Sequence, residues 1–400
     1  MRTTTCGAVV LAVLISACGG EGDAVPPPQT PPAPAPVAAP PPAPGAAAPA
    51  TPEAPKPPLI ELQKQTAQTS LAAFNSHDAK KFSETFAPDG VIIAYGVAEL
   101  KGREAIAADM QKFFEAFPDL KMAVSKNYVK GEVVVSEWVV NGTHKGEFMG
   151  QKATNKPVGL RGVSVLWVGP DGLVKQDHRY YDGATLMTQL GQMKAPARAV
   201  PPMPSGEPEW HVAKGSPDED KQVELAKSLY GSFEKKAEAD FLGSMDDKVV
   251  WSDLSAPKDM TGKGEAKKFF QMFTKALPDV KQTLDPIFAV DEYVVTEATV
   301  TGTHNGQLGP LKPTKKPVTM HGVDIMVVKD GKIQRGISYM NNLEILGQEG
   351  LLPKPKTPKP DAKAEGDKKA AGGDKAAGDK GEKPKAEKPA DKDKAASEKK

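Results

Sequence analysis

The chain repeats itself at a fixed distance. Gly142-Thr143-His144-Lys145-Gly146 returns as Gly302-Thr303-His304-Asn305-Gly306. Phe117-Pro118-Asp119-Leu120-Lys121 returns as Leu277-Pro278-Asp279-Val280-Lys281, and Thr154-Asn155-Lys156-Pro157-Val158 as Thr314-Lys315-Lys316-Pro317-Val318. All three pairs are 160 residues apart. A constant offset of that size requires a duplicated domain and excludes a short solenoid unit. Each copy therefore tests the other: chemistry tied to one residue type should survive in at least one of them.

The ends of the chain read differently from its middle. Met1-Arg2 precedes an apolar run from Ala8 to Ile15, then Ser16-Ala17-Cys18-Gly19. A positive charge, a short apolar stretch and small residues make a secretory signal, too short to span a bilayer as a mature helix. The Cys after Ser-Ala resembles the lipobox of bacterial lipoproteins, which implies cleavage before Cys18 and its acylation. Gly19, not Asp, follows it, which implies the outer membrane of the cell envelope. The bilayer, reached through acylated Cys18, is thus an expected partner. Residues 24–58 are almost all Pro and Ala and are expected to form an extended spacer. Residues 353–400 carry 15 Lys against 10 Asp plus Glu and are expected to be disordered. That tail reads as a solubilising segment or as a binder of anionic envelope polymers.

Cys6 and Cys18 are the two cysteines, so the mature fold is expected to have no disulfide and no thiolate metal site. A formal net charge of +1 sets up no long-range field, and nucleic acid is not an expected partner. No phosphate loop and no H-E-x-x-H spacing occurs.

The organisation expected is a signal peptide over 1–17, lipidated Cys and linker over 18–58, one domain over 59–192, a connector over 193–218, a second domain over 219–352 and a tail over 353–400. Each domain opens with an amphipathic helix, Leu62 to Phe74 or Val223 to Phe233. A short helix follows, containing Phe82 and Phe86, or Phe241. Then come a strand (Val91–Tyr95, or Val249–Trp251) and a third helix that stops at Phe117-Pro118 or Leu277-Pro278. The rest alternates as strands: Val133–Val140, Leu160–Val168 and Leu173–Tyr181, matched by Tyr293–Val300, Thr319–Val328 and Lys332–Tyr339. Asp171-Gly172 and Asp330-Gly331 are hairpin turns. A short amphipathic end closes each unit, around Leu186–Leu190 and Leu343–Leu346. Helices first and antiparallel strands afterwards predict an α+β fold. The expected architecture is two tandem cone-shaped, barrel-like domains, each with helices packed on a strongly curved, mostly antiparallel sheet.

The order Gly142-Thr143-His144-Lys145-Gly146 to Gly150, Ala153 to Val158, Asp171-Gly172, Asp182 and Gln189-Leu190-Gly191 resembles the SnoaL-like polyketide cyclase (ester cyclase) family of the nuclear transport factor 2-like superfamily. The second unit resembles it through Gly302 to Gly306, Pro313-Thr314 and Asp330 to Ile333. Its closing block has become Asn341 and Gln348-Glu349-Gly350. The resemblance implies ring closure without metal or cofactor, by an Asp three residues before the closing Asp, assisted by a His on the preceding strand. Those positions here are Arg179 and Leu166 in the first unit, Ser338 and Met326 in the second. None is a carboxylate or an imidazole, so the resemblance implies a fold kept without the family's chemistry. A slip of register would offer Tyr180 or Asp177.

Asp324 and Tyr180 are the catalytic candidates. Asp324 lies two residues before Met326, on the same strand face. A carboxyl in an apolar cone would hold its proton to higher pH and could act as a base; the alternative is a paired or exposed Asp, and its counterpart in the first unit is Ser164. Pocket candidates are Tyr95, Trp138, His144, Ser164 and Tyr180 in the first unit, with Trp251, His304, Asp324, Ser338 and Tyr339 in the second. The aromatic residues among these could equally be core. His144 and His304 read first as turn residues bonded to nearby backbone, and otherwise as rim ligands. Glu137 and Glu297 are expected to face solvent, the alternative being a sheet–sheet interface. Asp177-His178 reads as a surface pair, His77-Asp78 as a helix cap. The function expected is an envelope lipoprotein binding a small hydrophobic ligand or a partner, without catalysis; superfamily members often dimerise through the open sheet face, and the tandem copies could pair in that way within one chain. The alternatives are a cofactor-independent cyclase-like or isomerase-like enzyme, and an envelope scaffold.

Overall fold

The computed structural model describes residues 57–352; the signal-peptide, lipidation, linker and tail readings fall on residues outside these. Domain 1 consists of α1 (Leu59–Asn75), α2 (Ala79–Glu84), β1 (Phe86–Ala94), β2 (Ala98–Lys101), α3 (Gly102–Ala116), β3 (Lys121–Lys130), β4 (Val133–Thr143), β5 (Pro157–Val168), β6 (Val174–Tyr180) and α4 (Gly183–Leu190). The connector contributes β7 (Glu209–Val212). Domain 2 repeats the order with α5 (Pro217–Lys235), α6 (Glu238–Gly243), β8 (Met245–Asp253), β9 (Met260–Thr261), α7 (Gly262–Ala276), β10 (Lys281–Val290), β11 (Tyr293–Thr303), β12 (Pro317–Lys329), β13 (Lys332–Met340) and α8 (Asn342–Glu349). No described helix is long and apolar enough to cross a membrane.

The sheets run β2-β1-β6-β5-β4-β3-β7 and β10-β11-β12-β13-β8-β9. All neighbouring strands are antiparallel except β1 with β6, β8 with β13 and β3 with β7. This is the α+β architecture expected. The helices cover one face of each sheet and enclose a core there: Phe74, Phe114 and Phe117 in domain 1, Phe233, Phe270 and Leu277 in domain 2. Phe86, read from sequence into a short helix, instead opens β1. The strands β3 and β10 escaped the pattern because a register shift interrupts each one, so side chains do not alternate along their length. β7 lay inside a Pro-rich stretch; it pairs with the edge of β3.

The three duplicated motifs are bound to one another. Lys145 N–H and Gly146 N–H both donate to Ala116 O, at 2.9 and 3.0 Å, closing the end of α3. Asn305 and Gly306 do the same to Ala276 O of α7, at 2.8 and 3.2 Å. A Cβ at Gly146 would lie 2.3 Å from Glu115 O, and one at Gly306 2.5 Å from Lys275 O, so only glycine fits the crossing. Asp119 and Asp279 accept from Thr143 N–H and Thr303 N–H at 2.7 and 2.8 Å. The third motif joins through His144 N–H to Lys156 O at 3.0 Å and His304 N–H to Lys316 O at 2.9 Å. What repeats most faithfully is therefore a structural knot.

The other sheet faces pack on each other. Val135, Val163, Val165 and Tyr180 of domain 1 form one buried cluster with Phe288, Val295, Ile325 and Tyr339 of domain 2. Glu137 and Glu297 sit in this seam at 5% and 6% exposure, which overturns their expected solvent-facing role. Each accepts from the tyrosine of the other domain: Glu297 from Tyr180, Glu137 from Tyr339. The second donors differ. Glu137 takes Tyr128 from its own domain, at 2.7 Å. The matching residue of domain 2 is Phe288, which has no donor; His178 of domain 1 joins Tyr180 at Glu297 Oε1, with Nδ1 at 2.7 Å, and Oε2 is buried without a partner. Asp177-His178 is thus no surface pair. Burial and the adjacent carboxylates push Tyr128, Tyr180 and Tyr339 far above the ordinary phenol range.

The helix starts α4 and α8 also meet. Asp182 caps α4 through Thr185 N–H, at 2.9 Å, and accepts from Asn342 N–H, at 3.0 Å. Asn341 caps α8 through Leu343 N–H, at 3.1 Å, and accepts from Gly183 N–H, at 3.0 Å. The closing Asp and its replacement Asn are therefore traded caps, each satisfying orphan donors of both helices. Burial raises the carboxyl of Asp182 above its ordinary value.

The shared cluster predicts that the described region unfolds as one cooperative unit in urea, followed by fluorescence and circular dichroism; two separated transitions would contradict it. Tyr180→Phe or Tyr339→Phe should each lower stability by about 1–3 kcal/mol, because a buried carboxylate loses a donor.

Candidate functional site

Strand alternation decides which side chains enter each cone. On β4, Val134 and Trp138 face the helices, while Val135 and Glu137 face the seam. On β12, Met326 belongs to the core of domain 2, while Val323 and Ile325 belong to the seam. Asp324, in step with Met326, therefore points into the cone, as its spacing predicted.

The two cones are filled differently. In domain 1 the Trp138 ring lies over Gly162, where a Cβ would come within 2.2 Å of it. Its Nε1 donates to Ser164 Oγ at 3.2 Å. Beside it, Arg179 Nε donates to Asp177 Oδ2 at 2.7 Å, and the guanidinium lies 5.6 Å from the Phe82 ring centre. Asp177 is 2% exposed, so this ion pair is interior. Arg179 thus occupies the family's acid position as a bound cation.

In domain 2 the residue matching Trp138 is Ala298, packed in the core. The tryptophan comes instead from β8: Trp251 lies over Gly336 and donates to Ser338 Oγ at 2.7 Å. Ser338 Oγ donates to Asp324 Oδ1 at 2.5 Å, and Tyr230 Oη of α5 donates to Asp324 Oδ2. Thr296, Asp324 and Ser338 lie side by side across β11, β12 and β13. The Thr296 hydroxyl is fully buried near Tyr230 and completes no hydrogen bond of its own. Burial raises the Asp324 carboxyl to about 6, against the two hydroxyls that favour its ionised form. Burial and the Asp324 charge push Tyr230 well above the ordinary phenol value.

Asp324 keeps partial solvent contact, although Val323, Ile325 and Met326 have 2% or less. The contact therefore comes through the cone. A carboxyl and a phenol in direct contact, reached by solvent, can hold and pass a proton. Met326 is apolar, as read; its strand neighbour Asp324 and the helix residue Tyr230 form an ionisable pair in contact.

The remaining candidates lie elsewhere. Tyr180 and Tyr339, read as pocket residues and Tyr180 as catalytic, are seam residues because odd and even positions of β6 and β13 face opposite ways. Tyr95 stacks on His321 of domain 2, ring centres 4.0 Å apart, and also lies at the seam. His144 and His304 are fully buried and form no rim. His144 Nδ1 is 3.0 Å from Thr154 Oγ1, and burial holds its ring below the ordinary histidine value. His304 Nδ1 meets the buried carboxyl of Glu349. Only Trp138 and Ser164 in domain 1, and Trp251, Ser338 and Asp324 in domain 2, are cone residues among those named. Tyr230 was read only as part of the apolar face of α5; a hydroxyl-bearing ring on that face was the available signal.

Two small hollows open near domain 1. One, of about 50 Å³, lies at the seam among Arg161, Asp182, Arg198 and Leu254. The other, of about 20 Å³, is apolar, between Phe113, Phe117 and Leu186. Sites for drug-sized ligands measure roughly 300–1,000 Å³, so these are water-sized spaces. Among the described residues no group of three or more His, Cys, Asp or Glu is placed to hold a metal ion.

The SnoaL-like polyketide cyclase family matches residues 64–190 and again 224–349. The chain belongs to that family, in two tandem copies. It is similar to AclR from Streptomyces galilaeus, proposed to be a hydroxylase, at 26% identity over 34% of this chain and 89% of that one, with a TM-score of 0.31. It is similar to IdmH from Streptomyces antibioticus, proposed to be a polyketide cyclase, at 29% identity over 32% and 98%, with a TM-score of 0.29. A protein from Jannaschia sp. CCS1, proposed to be a SnoaL-like polyketide cyclase, matches at 24% identity over 33% and 96%, with a TM-score of 0.30. No curated protein matches the chain.

The raised carboxyl sets a pH dependence. A folded-state value of about 6, above the ordinary 3.8, means the native state keeps this proton longer than the unfolded chain does. Stability is thus lost as pH rises through that window, and the loss is complete above it. Asp324→Asn should match the wild type near pH 4 and gain about 1–3 kcal/mol on it above about pH 6, read from urea midpoints. A difference independent of pH would contradict the assignment.

Proposed function

We propose that this is a lipid-anchored envelope protein whose domain 2 binds a small, largely apolar ligand while domain 1 serves as its fixed partner. The contrast between the cones supports this reading. Domain 1 spends its interior on Trp138 and on the Asp177–Arg179 pair, whose charges neutralise each other. Domain 2 leaves Ala298 at the Trp138 position and keeps Asp324, with its hydroxyl donors, partly exposed. Apolar walls with few convergent polar groups suit a small ligand. The lipobox-like Ser16-Ala17-Cys18-Gly19 supports attachment through acylated Cys18, and Gly19 supports the outer membrane.

A second reading, cofactor-independent chemistry of cyclase or isomerase type in domain 2, draws on the Tyr230–Asp324 contact. Under it Asp324 would take a proton and Tyr230 would donate to a developing oxyanion. An Asp324→Asn variant that keeps a discovered activity would remove Asp324 from that role.

Benzyl alcohol, a neutral apolar probe, should shift the methyl signals of Leu284, Ile287 and Met340 in domain 2. The shifts should disappear in Ala298→Trp, which copies the filled cone of domain 1. Shifts confined to domain 1, or surviving that substitution, would overturn the assignment of domain 2. Cys18→Ser should move the protein from the membrane fraction to the soluble fraction; retention in the membrane would overturn the anchor.

A further inference from the structure

The carboxylate of the domain 2 cone has no cation beside it. Asp177, its neighbour position in the other cone, meets Arg179; Glu137 and Asp182 also lack a cation, but they are closed off at 5% exposure, whereas Asp324 keeps solvent contact. Asp324 meets only hydroxyls, and the other charge near it is a second carboxylate, Asp253. Asp253 lies on the same side of β8 as Trp251, and its Oδ1 accepts from Ser255 N–H at 2.9 Å. Asp253 thus adds negative charge near Asp324 and supplies no counter-ion. A buried charge without a partner is costly, and the deficit is largest where desolvation is greatest.

We propose that the domain 2 cone is a site for a small organic monocation, an ammonium carried on a compact apolar body, seated with its charge against Asp324. The inference rests on domain 2 being the ligand-binding half and adds the charge of the ligand. Each oxygen of Asp324 accepts one hydrogen bond from the protein and keeps a lone pair for another donor. The Thr296 hydroxyl beside it has an open acceptor as well. The rings of Tyr230 and Trp251 supply aromatic walls of the kind that favour ammonium groups. Leu284, Ile287, Met260 and Met340 pack around the same core and retain partial exposure, leaving apolar surface for the body of the ligand. An anionic ligand would be repelled by both carboxylates, and a neutral one would leave Asp324 unpaired.

The site carries its own pH signature. The titrating groups around Asp324 are Tyr230 from α5 and Asp253 from β8; β11 and β13 contribute Thr296 and Ser338, and α7 and β10 contribute apolar side chains. With the Asp324 carboxyl raised to about 6, cation affinity should rise with pH through that value and then level off.

The test uses three probes with one body: benzylamine, benzyl alcohol and benzoate, titrated into the full-length protein by calorimetry and methyl NMR. At about pH 8 benzylamine should bind on the order of tenfold or more tighter than benzyl alcohol, and benzoate weakest. The preference should vanish near pH 5 in the wild type, and at all pH values in Asp324→Asn and in Asp324→Ser, which copies Ser164. The wild-type pH series stands even if a variant fails to fold. Equal binding of the amine and the alcohol, lost in Ala298→Trp, would overturn the cation and leave the domain 2 site standing. Preference for benzoate would overturn it too. Failure of all three probes to bind in domain 2 would overturn both readings.

Discussion

Everything else in this molecule follows from sheets that have no face to give to water. Along β4 the run Val133–Val140 is buried almost throughout, one set of side chains toward the helices and the other toward the second domain. A strand apolar on both sides needs cover on both sides. Helices supply one cover. The other is the equivalent face of the duplicate, so neither domain reaches its native burial alone. Within that seam phenols and an imidazole from across and beside them meet the two buried glutamates, at both oxygens of Glu137 and at Oε1 of Glu297.

The same scaffold has settled its two interiors by different routes. Both use a tryptophan laid over a glycine of the adjacent strand and anchored to a serine two residues further on: Trp138 over Gly162 to Ser164, Trp251 over Gly336 to Ser338. The strand that donates the ring differs, and so does what it displaces. In domain 1 the Gly336 and Ser338 positions hold Asp177 and Arg179, closed on each other as an ion pair. In domain 2 the Ser164 position holds Asp324, and the carboxyl is left to hydroxyl groups. One interior holds an ion pair; in the other the carboxyl meets hydroxyl groups alone.

Much of the fold was legible because it is written twice. The fixed offset, the proline stops after α3 and α7 and the glycine turns all name backbone constraints, and backbone constraints act locally. The glutamates were misread because a polar residue in an alternating strand ordinarily marks the wet face. Only knowledge that each glutamate faces the apolar sheet of the other domain would have marked Glu137 and Glu297 as buried. Asp324 could be found by counting two back from Met326. Tyr230 could not be paired with it, since the contact joins residues 94 apart and depends on how α5 lies on β10 and β11 so that its tyrosine reaches β12. The histidines drew attention by repetition, yet repetition here reports the knot that ties each hairpin to the end of α3 or α7.

The meeting of Phe288 with His178 has a wider meaning. In an assembly of two identical subunits a substitution at the seam is imposed on both sides at once, and a lost donor is lost twice. Here Phe288 lacks the phenol that Tyr128 has, and His178, standing where the other copy has Ile337, meets Glu297 from the opposite half. A peptide tether between the copies makes such a one-sided arrangement heritable. It releases the pair from the rule of symmetry, and lets one member become ballast while the other is free to acquire an occupation.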